Sequence, residues 1–390
     1  MFSLLSLAPA FPYTDPWCQG LTERLRMLWR RKRRVAYFYD LPNNSTFRYR
    51  AYNMVQVLNA IKHEISASYF FMSDLHRIDE IADAADILVI CRTCYDNRVN
   101  QVITAFHNRR KRVLFDVDDL VFDTDFAPLI LTTLDQDPDN PNVWDYWFSY
   151  CSRMGATLKL CDGAITTNEF LAGHIQKFSG LPVSVVPNFI NKEQLELSDQ
   201  LYKAKATLKP GEDGMVHFGY FSGSPSHNRD FALVIPALES ILEERKDTGL
   251  VVVGYIEAGP TLKRFSSRVS YYPFHDYVNL QRLVASVEFN LIPLQYNTFT
   301  NCKSELKYFE AAIVGTQSIA SPSYAYAKAI VDGETGYISQ AFSWEKAIRT
   351  ALDGLGTYRE MAERAYVDAR ERYAWFNQCE RILDSLDIIR

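Results

Sequence analysis

The segment NCKSELKYFEAAIVGTQSIAS, residues 301–321, places two lysines and a carboxylate at a spacing that suits phosphate and sugar chemistry. Its pattern predicts a helix that begins near Lys303 or Ser304, directly after the apolar strand FNLIPL. Lys303, Lys307 and Glu310 then stand at i, i+4 and i+7, which is one helical face. A lysine there can meet a phosphate by charge, and a carboxylate two turns later can accept hydrogen bonds from both hydroxyls of a ribose. The alternative is an ordinary Lys307–Glu310 pair on a solvated face.

A second candidate is the loop in HFGYFSGSPSHNRDF, residues 217–231, where a predicted strand runs into small residues and then into a helix. Small side chains leave backbone N–H groups uncovered, and the helix that begins near Asp230 adds its positive end. We therefore expect an anion-binding loop with His227 and Arg229 beside it; the alternative is a common serine-rich turn. The loop residues expected to contact the anion are Ser222, Gly223 and Ser224.

These residues depend on strands and helices that alternate along most of the chain. The predicted strands of the first half are Val35–Asp40, Asp86–Cys91, Arg112–Asp116, Gly163–Thr167 and Val183–Pro187. Those of the second half are Val216–Phe221, Leu250–Gly254, Val269–Tyr272, Phe289–Leu294 and Ser318–Ser321. Continuous apolar strands separated by helices predict parallel sheets that are covered on both faces. The expected fold is therefore α/β, with two Rossmann-like, doubly wound domains that face each other across a ligand-binding cleft.

The alternation breaks once, in a polar stretch that ends in KPGEDG. We read residues 191–214 as a linker between a first domain at 35–190 and a second domain at 215–357. The closing residues 358–390 are amphipathic and helical in pattern, and they are candidates for crossing back to the first domain.

Composition excludes several classes of protein. The chain has 390 residues, 47% of them hydrophobic and 23% charged, which indicates a folded globular protein. Its net charge of -5 offers no global positive field to nucleic acid. Seven scattered cysteines favour the reduced thiols of a cytosolic protein over a disulfide framework. No apolar run approaches the roughly 20 residues of a membrane-spanning helix.

Residues 1–34 read as a basic, amphipathic extension. In LTERLRMLWRRKRR, residues 21–34, the apolar stripe consists of Leu21, Leu25, Leu28 and Trp29, and basic residues cover the other faces. This pattern predicts a helix that lies on an anionic membrane surface, at the inner face of the cell membrane of a cytoplasmic protein. In that case, deletion of residues 1–33 should leave the folded core intact. The alternative is a solvated positive extension.

Residues 215–340 resemble the donor-binding domain of family 4 glycosyltransferases of the two-Rossmann (GT-B) type. The motifs FSGSPSHNRDF, KSELKYFEAAIVGTQSIAS and IVDGETGY carry the resemblance, in this order. In the first half, DLPNNSTFRYR, FDVDD and GAITTNEFL are similar to that family's acceptor domain. The branch that the chain resembles contains bacterial rhamnan-type and related polysaccharide glycosyltransferases.

The resemblance implies transfer of a sugar from a nucleotide diphosphate donor to a growing cell-surface polysaccharide, such as O-antigen or capsule, or to a lipid-linked glycan. It implies no cofactor and no obligatory metal. Glu310 would bind the ribose, and Lys303 and Ser304 would contact the diphosphate together with the loop at 222–224. The nucleobase would lie near Tyr272 and Phe274. The family often has an acid eight positions before the ribose-binding acid. This chain has Cys302 there, and Glu305 points nearly the opposite way, so the stereochemical outcome stays open.

The first domain would hold the acceptor. Asp116, Asp118 and Asp119 follow a predicted strand, and Asp118 is the candidate catalytic carboxylate, because sugar transfer needs a base or a charge stabiliser near an oxocarbenium-like transition state. A divalent metal site and plain loop capping are the alternatives. Arg48 and Arg50 could meet an anionic donor or acceptor, or form structural salt bridges.

Two other functions remain open on the sequence. A nucleotide-sugar epimerase can share the two-Rossmann shape, and release of free nucleotide diphosphate during sugar transfer would distinguish the two activities. A non-catalytic glycosyltransferase-like subunit, suggested by Cys302, would bind the donor without turnover.

Overall fold

Two six-stranded parallel sheets form the frame of the chain in a computed structural model that describes residues 2, 12–61, 63–223, 227–255 and 260–387. The strands of the first sheet are β1 (Arg33–Tyr39), β2 (Ile65–Phe71), β3 (Ile87–Cys91), β4 (Arg112–Asp116), β5 (Gly163–Thr166) and β6 (Val183–Val185). Those of the second are β7 (Val216–Ser222), β8 (Thr248–Gly254), β9 (Val269–Tyr272), β10 (Phe289–Ile292), β11 (Gln317–Ala320) and β12 (Tyr337–Ile338).

The strand order of both sheets is that of doubly wound α/β domains. The first sheet runs β2-β1-β3-β4-β5-β6, and the second runs β12-β11-β10-β7-β8-β9. The order therefore reverses between β1 and β3 in one sheet and between β7 and β10 in the other. In open α/β sheets ligands bind outside the carboxyl ends of the strands, at such reversal points. The predicted fold class, two Rossmann-like parallel-sheet domains, is confirmed.

Helices cover both faces of each sheet and leave the strand ends open. The helices of the first domain include α1 (Leu21–Leu28), a π-helix (Arg48–Tyr52), α2 (Asn53–Ala60), α3 (Ile78–Ala84), α4 (Asn97–His107), α5 (Ala127–Thr133), α6 (Pro141–Lys159) and α7 (Glu169–Ser179). Short 3-10 turns lie at Met72–Arg77 and Thr124–Phe126. Apolar side chains on both faces of this sheet are buried under these helices.

The remaining helices pack mainly on the second sheet. They include α8 (Lys192–Ala206), α9 (Asn228–Ala232), α10 (Ile235–Glu244), α11 (Pro260–Lys263), α12 (Tyr277–Ser286), α13 (Thr298–Asn301), α14 (Leu306–Ala312), α15 (Tyr324–Ala329), α16 (Trp344–Asp353), α17 (Tyr358–Tyr373) and α18 (Cys379–Ser385). In the described part of the chain, no helix is both long and apolar enough to cross a membrane.

Two elements differ from the prediction in the first half of the chain. The strand β2 was not expected, because ISASYFF interrupts its apolar residues with Ser66 and Ser68. Both serines are buried, and Ser66 Oγ donates a hydrogen bond to the carbonyl of Leu28 at 2.6 Å. The hydroxyl of Ser66 is therefore satisfied inside the fold, and β2 lies at the edge of the sheet beneath α1.

The stretch at 191–214 is a helix rather than an extended linker over most of its length. Its residues 192–206 form α8, which packs on α12. One face of α8 is buried, including Leu195, Leu201 and Lys205. The Lys205 ammonium group donates hydrogen bonds to the carbonyl of Val287 at 2.7 Å and to Thr316 Oγ1 at 2.6 Å. The sequence pattern did not reveal this buried face, because its polar residues bond to partners that lie far away in the sequence.

The segment at 21–34 is part of the first domain. Leu25 and Leu28 are buried in its core and Leu21 packs against it, so most of the apolar stripe predicted to enter a membrane packs on the protein instead, whereas Trp29 is half exposed. The buried Arg24 guanidinium forms an ion pair with Asp74, with N–O distances of 2.5 and 3.0 Å, and also donates to the carbonyl of Tyr69. Association with an anionic membrane stays a prediction, and it would depend on exposed basic side chains such as Arg26 and Arg30.

The closing helices connect the two domains. The helix α17 packs on α14 and β11 of the second domain, whereas α18 packs on α2 and β6 of the first. Ile382, Leu383 and Leu386 are buried in the core of the first domain. The chain therefore crosses the cleft a second time, near its end.

Arg24 provides a test of the structural role of α1. Removing one partner of a buried ion pair leaves the other charge without compensation, at a cost of about 3–5 kcal/mol. We expect Arg24→Ala to lower the free energy of unfolding by that amount, measured by urea denaturation. The matched control is Arg26→Ala, an exposed position on the same helix, which should change it by about 0.5 kcal/mol or less. Equal effects of the two variants would show that α1 does not depend on the Arg24–Asp74 pair.

Candidate functional site

A cavity of about 770 Å³ lies between the carboxyl ends of the two sheets. Segments that follow β1, β3 and β4 line it from the first domain, and segments that follow β7, β8, β9 and β10 line it from the second. This volume is in the range of small-molecule sites, about 300–1,000 Å³. The geometry agrees with the cleft that the strand pattern predicts.

Glu310 lies at the junction of the two domains, on α14. Its Oε1 accepts hydrogen bonds from Arg48 Nη2 at 3.3 Å, from the Tyr49 hydroxyl, and from Gln194 Nε2 at 3.2 Å. Arg48 and Tyr49 belong to the π-helix of the first domain. In the described part of the chain no donor contacts Oε2, so this oxygen is available to a ligand in the cavity that Glu310 lines.

The two predicted lysines also line the cavity, although Lys303 precedes the helix, which begins at Leu306. The Lys303 ammonium nitrogen is 3.7 Å from Asp119 Oδ2 and 4.5 Å from the centroid of the Phe299 ring. Burial lowers the pKa of Lys307 to about 8, although nearby carboxylates oppose the shift. An anion bound between the two lysines would favour the charged form of Lys307.

Ser304 lies beside the lysines at the cavity but is held by the first domain. Its Oγ accepts a hydrogen bond from Asn188 Nδ2 at 2.9 Å. The contact places the start of α14 against the loop that follows β6.

The loop after β7 is partly described. Ser222 and Gly223 line the cavity, as predicted for an anion-binding loop, whereas Ser224 lies outside the described residues. The helix that follows, α9, has only five residues, so it contributes little of the dipole that the sequence suggested. Gly254 at the end of β8 has φ +99°, and a Cβ there would lie 1.9 Å from the carbonyl oxygen of Ser222. Glycine at this position thus lets the two strand ends approach each other.

His227 and Asp230 form a hydrogen-bonded pair at the cavity. His227 Nδ1 is 3.0 Å from Asp230 Oδ2. Burial lowers the pKa of His227, and Lys307 and Lys303 lower it further. Burial raises the pKa of Asp230, but hydrogen bonds from His227 and Gln295 outweigh it, so the net shift is downward.

Arg229 points away from the cavity, contrary to the prediction. Its Nε is 2.7 Å from Asp135 Oδ1, and its Nη1 donates to the carbonyl of Thr132 at 2.8 Å. Both partners lie at the end of α5 in the first domain, so Arg229 bridges the domains at the surface. A partner 94 residues away could not be read from the local pattern.

An aromatic pair stands at one end of the cavity. Phe274 lines it as predicted, and its ring stacks on Tyr255, with centroids 5.7 Å apart and planes at 25°. Both rings are about half exposed. Tyr272, the other predicted position, packs against the core of the second domain instead. Tyr255 was missed because it follows β8 without any motif around it.

The predicted acceptor-side residues divide into two groups. Arg48 lines the cavity. Arg50 and Asp116 form a fully buried, bidentate ion pair with N–O distances of 2.7 and 3.0 Å, and Arg50 also donates to the carbonyl of Val186. This pair stabilises the sheet beneath the cavity and is not placed to contact an acceptor, so the structural alternative applies to Arg50 and Asp116.

Asp118 and Asp119 do line the cavity, and both face Arg92. Arg92 Nη1 is 2.9 Å from Asp118 Oδ1, and its Nη2 is 3.8 Å from Asp119 Oδ2. Thr46 Oγ1 donates to the other oxygen of Asp118 at 3.1 Å. Each of the three carboxylates therefore has a cationic partner. Arg50 pairs with Asp116, and Arg92 lies beside Asp118 and Asp119.

Arg92 is a cavity residue that the sequence analysis missed. It directly follows β3 and has φ +37°, a conformation that is strained for a residue other than glycine. Its backbone N–H donates to the carbonyl of Asp116 at 2.8 Å. Its position at a strand end was the signal that could have found it.

Cys302 and Glu305 point away from the cavity. Cys302 is buried in the core of the first domain, where its pKa is raised by burial, and its carbonyl accepts a hydrogen bond from Asn168 Nδ2 at 3.0 Å. Glu305 accepts a hydrogen bond from the Tyr373 hydroxyl at 2.8 Å, and burial raises its pKa. In this turn, Lys303 and Ser304 line the cavity, whereas Cys302 and Glu305 do not.

Among the described residues, no group of three or more histidine, cysteine or acidic side chains is arranged to hold a metal ion.

Comparison with protein-family models gives no match, and comparison with the curated proteins gives none either. Solved structures do resemble the chain. Anabaena Alr3699/HepE in complex with UDP-glucose has a TM-score of 0.61 at 13% identity, covering 91% of this chain and 100% of that one. A glycosyltransferase from Rickettsia africae ESF-5 has a TM-score of 0.60 at 12% identity, covering 91% and 97%. WaaG, a glycosyltransferase involved in lipopolysaccharide biosynthesis, has a TM-score of 0.55 at 15% identity, covering 90% and 98%.

The chain has the GT-B fold. The likeness extends over both sheets and the cleft, because it covers nine-tenths of the chain. Within this GT-B frame, the cavity residues of the second domain supply the cations Lys303 and Lys307, and those of the first domain supply Arg92 with its two aspartates.

The structure assigns Lys307, but not Arg229, to the cavity. This assignment can be tested by measuring the binding of inorganic pyrophosphate. Each charge-assisted hydrogen bond contributes about 1.5–3 kcal/mol, which is a factor of about 10–100 in affinity. Isothermal titration calorimetry should show at least tenfold weaker binding for Lys307→Ala. Arg229→Ala should stay within about twofold of the wild type, since its guanidinium faces Asp135. If Arg229→Ala weakens binding as much as Lys307→Ala, the loop must rearrange when the anion binds.

Proposed function

We propose that this protein is a glycosyltransferase that moves a sugar from a nucleotide diphosphate donor to a glycan or a lipid-linked glycan. One observation carries the proposal: Lys303, Lys307 and Glu310 converge on a cavity at the carboxyl ends of both sheets of a GT-B fold. Two ammonium groups complement a diphosphate, and a carboxylate oxygen that accepts no hydrogen bond from the described residues complements a ribose diol.

The second domain carries groups that suit the parts of such a donor. The stacked rings of Tyr255 and Phe274 are suited to hold a nucleobase, since aromatic faces stack on one another. The loop after β7, the two lysines and Glu310 line the same cavity. Complexes of HepE with UDP and with UDP-glucose among the structural neighbours support a nucleotide-sugar donor.

The first domain offers groups for an acceptor. Asp118, Arg92 and Trp147 line its side of the cavity. Asp118 could bind the acceptor hydroxyl or stabilise positive charge at the anomeric carbon, while Trp147 offers an aromatic face to a sugar. The neighbour WaaG, involved in lipopolysaccharide biosynthesis, supports a cell-surface glycan as the acceptor. Such an enzyme would work in the cytoplasm, at the inner face of the membrane when its acceptor is lipid-linked.

The deciding experiment is a panel of UDP-, GDP- and dTDP-sugars, screened for binding by thermal shift and for release of free nucleotide diphosphate. Sugar transfer with release of nucleotide diphosphate would support the proposal. Interconversion of the donor sugar without release would indicate an epimerase, and binding without any turnover would indicate a non-catalytic subunit.

Glu310 should be needed for donor affinity. Replacing its carboxylate with an amide removes charge-assisted hydrogen bonds to the ribose, so Glu310→Gln should raise the donor Kd about tenfold or more. The control is Glu305→Gln, one turn earlier and directed toward Tyr373, which should leave the Kd within about twofold. An unchanged Kd in Glu310→Gln would show that Glu310 only joins the two domains.

Lys303 should act mainly on the rate. Negative charge accumulates on the diphosphate as the glycosidic bond breaks, so a fixed cation stabilises the transition state more than the bound substrate. Lys303→Ala should lower kcat by about 10²–10³-fold, a larger change than in the donor Kd. Lys346→Ala, an exposed lysine on α16, is the control and should not alter either constant. A higher Kd with unchanged kcat would assign Lys303 to binding alone.

Activity should be independent of divalent metal. The diphosphate would be neutralised by the lysines, and the three aspartates after β4 are already paired with Arg50 and Arg92. Turnover in EDTA should equal turnover in manganese. A complete loss in EDTA that manganese restores would contradict this account and return the aspartate segment to the centre of the mechanism.

A further inference from the structure

His227 and Asp230 form a pair at the cavity in which the imidazole has a fixed orientation. A group that bound an anion by its charge alone would not need such an orientation. A carboxylate only accepts hydrogen bonds, so the contact with Asp230 Oδ2 fixes the hydrogen of the neutral imidazole on Nδ1. In the described part of the chain, no partner contacts Nε2, and His227 lines the cavity. The second nitrogen is therefore left for a ligand.

Asp230 is itself fixed from the strand side. Its Oδ1 accepts hydrogen bonds from the backbone N–H of Gln295 at 3.0 Å and from Gln295 Nε2 at 3.1 Å. Gln295 Nε2 also donates to the carbonyl of Thr133 in the first domain at 3.0 Å. The orientation of His227 thus depends on contacts from three separate elements, which is the arrangement expected for a positioned proton donor.

The charged groups around His227 come from two directions. On its own segment are Asp230 and Arg229, and the latter is directed to Asp135. From the segment after β10 come Lys303 and Lys307, which lower the pKa of His227 in addition to burial, while Asp230 opposes them. From β7, the Tyr220 hydroxyl donates to the His227 carbonyl at 3.4 Å. Anionic charge in the cavity would offset the two lysines and favour the imidazolium form.

We propose that His227, held by Asp230, takes up a proton at Nε2 when the donor diphosphate binds, and donates it in a hydrogen bond to a phosphate oxygen. This rests on the proposed function. As the bond between the anomeric carbon and the phosphate oxygen breaks, its electron pair stays on that oxygen, and the imidazolium stabilises the new charge while keeping its proton. His227 is then a catalytic residue that adds a third positive group, and Asp230 is its positioning residue.

The proton uptake predicts a specific dependence of affinity on pH. Below the pKa of His227 in the free protein, the donor Kd is constant, because the imidazole is already charged. Between the free and the bound pKa, affinity falls by up to about tenfold per pH unit, and above the bound pKa it is constant again. Lys307, with its pKa lowered to about 8, adds a separate step in the alkaline range.

The experiment measures donor binding by calorimetry from pH 5 to 9, with the tightest binder of the sugar-nucleotide panel as the probe. A sugar nucleotide is suitable because its diphosphate is esterified at both ends and does not titrate in this range. The variants are His227→Gln, Lys307→Gln and, as a control outside the cavity, His76→Gln, an exposed histidine. In parallel, NMR of the 13Cε1 positions follows the seven histidines in the free and bound protein.

We expect the His227→Gln protein to lose the acidic step of the pH profile and to keep the alkaline one, and Lys307→Gln to do the reverse. His76→Gln should match the wild type. One histidine resonance, absent from His227→Gln, should titrate at higher pH in the bound protein than in the free protein. Asp230→Asn should shift the acidic step to lower pH and reduce kcat, although the histidine is retained.

Two results would overturn the inference. If the wild type and His227→Gln bind the donor with the same pH profile, His227 does not take up a proton, while the proposed function stands. If no sugar nucleotide binds at any pH, the proposed function fails and the inference fails with it. If the His227→Gln protein has a lower melting temperature than the wild type, the histidine resonance of the wild-type protein decides the question. That measurement needs the variant only to assign the resonance.

Discussion

The carboxylate of Glu310 is the contact on which the arrangement of the two domains depends. It extends from the second domain into a junction where Arg48, Tyr49 and Gln194 all donate to the same oxygen. A buried charge without partners costs several kcal/mol, so α14 is stable in this position only while the first domain and α8 supply those donors. The same contact turns the second oxygen toward the cavity. The contact between the domains and the ligand site therefore share one carboxylate.

The π-helix that supplies Arg48 divides its side chains between the cavity and the core. Arg48 donates a hydrogen bond to Glu310, whereas Arg50, two residues later, donates to Asp116. Because both arginines are buried and bonded, this turn can hardly move without breaking an ion pair on either side. This turn is thus bonded on both sides where the first domain meets the second.

The charges of the cavity are unevenly distributed. On the first domain's side, Arg92 pairs with Asp118 and lies near Asp119, so that wall is close to balanced. On the second domain's side, Lys303 and Lys307 come from one segment, and Lys307 is buried deeply enough to lower its pKa. An anion therefore gains most beside the second domain, and a neutral, hydroxyl-rich molecule is better suited to the first. This asymmetry fits a charged donor on one side and a glycan on the other.

The sequence by itself determined what is local: the alternation of strands and helices, the doubly wound class, and a cavity group of Lys303, Lys307 and Glu310, because these three follow one strand and lie within a span of eight residues. It could not determine which charges face each other. Arg50 meets Asp116 across 66 residues and Arg229 meets Asp135 across 94, so the sequence left the role of Arg50 open between ligand and salt bridge and placed Arg229 beside an anion that it does not face. Polar composition likewise concealed β2 and α8, in which Ser66 and Lys205 are hydrogen-bonded to distant partners. Only the tertiary structure decided that the apolar stripe of α1 faces a sheet rather than a membrane, because an amphipathic pattern shows that one face is buried but not what covers it.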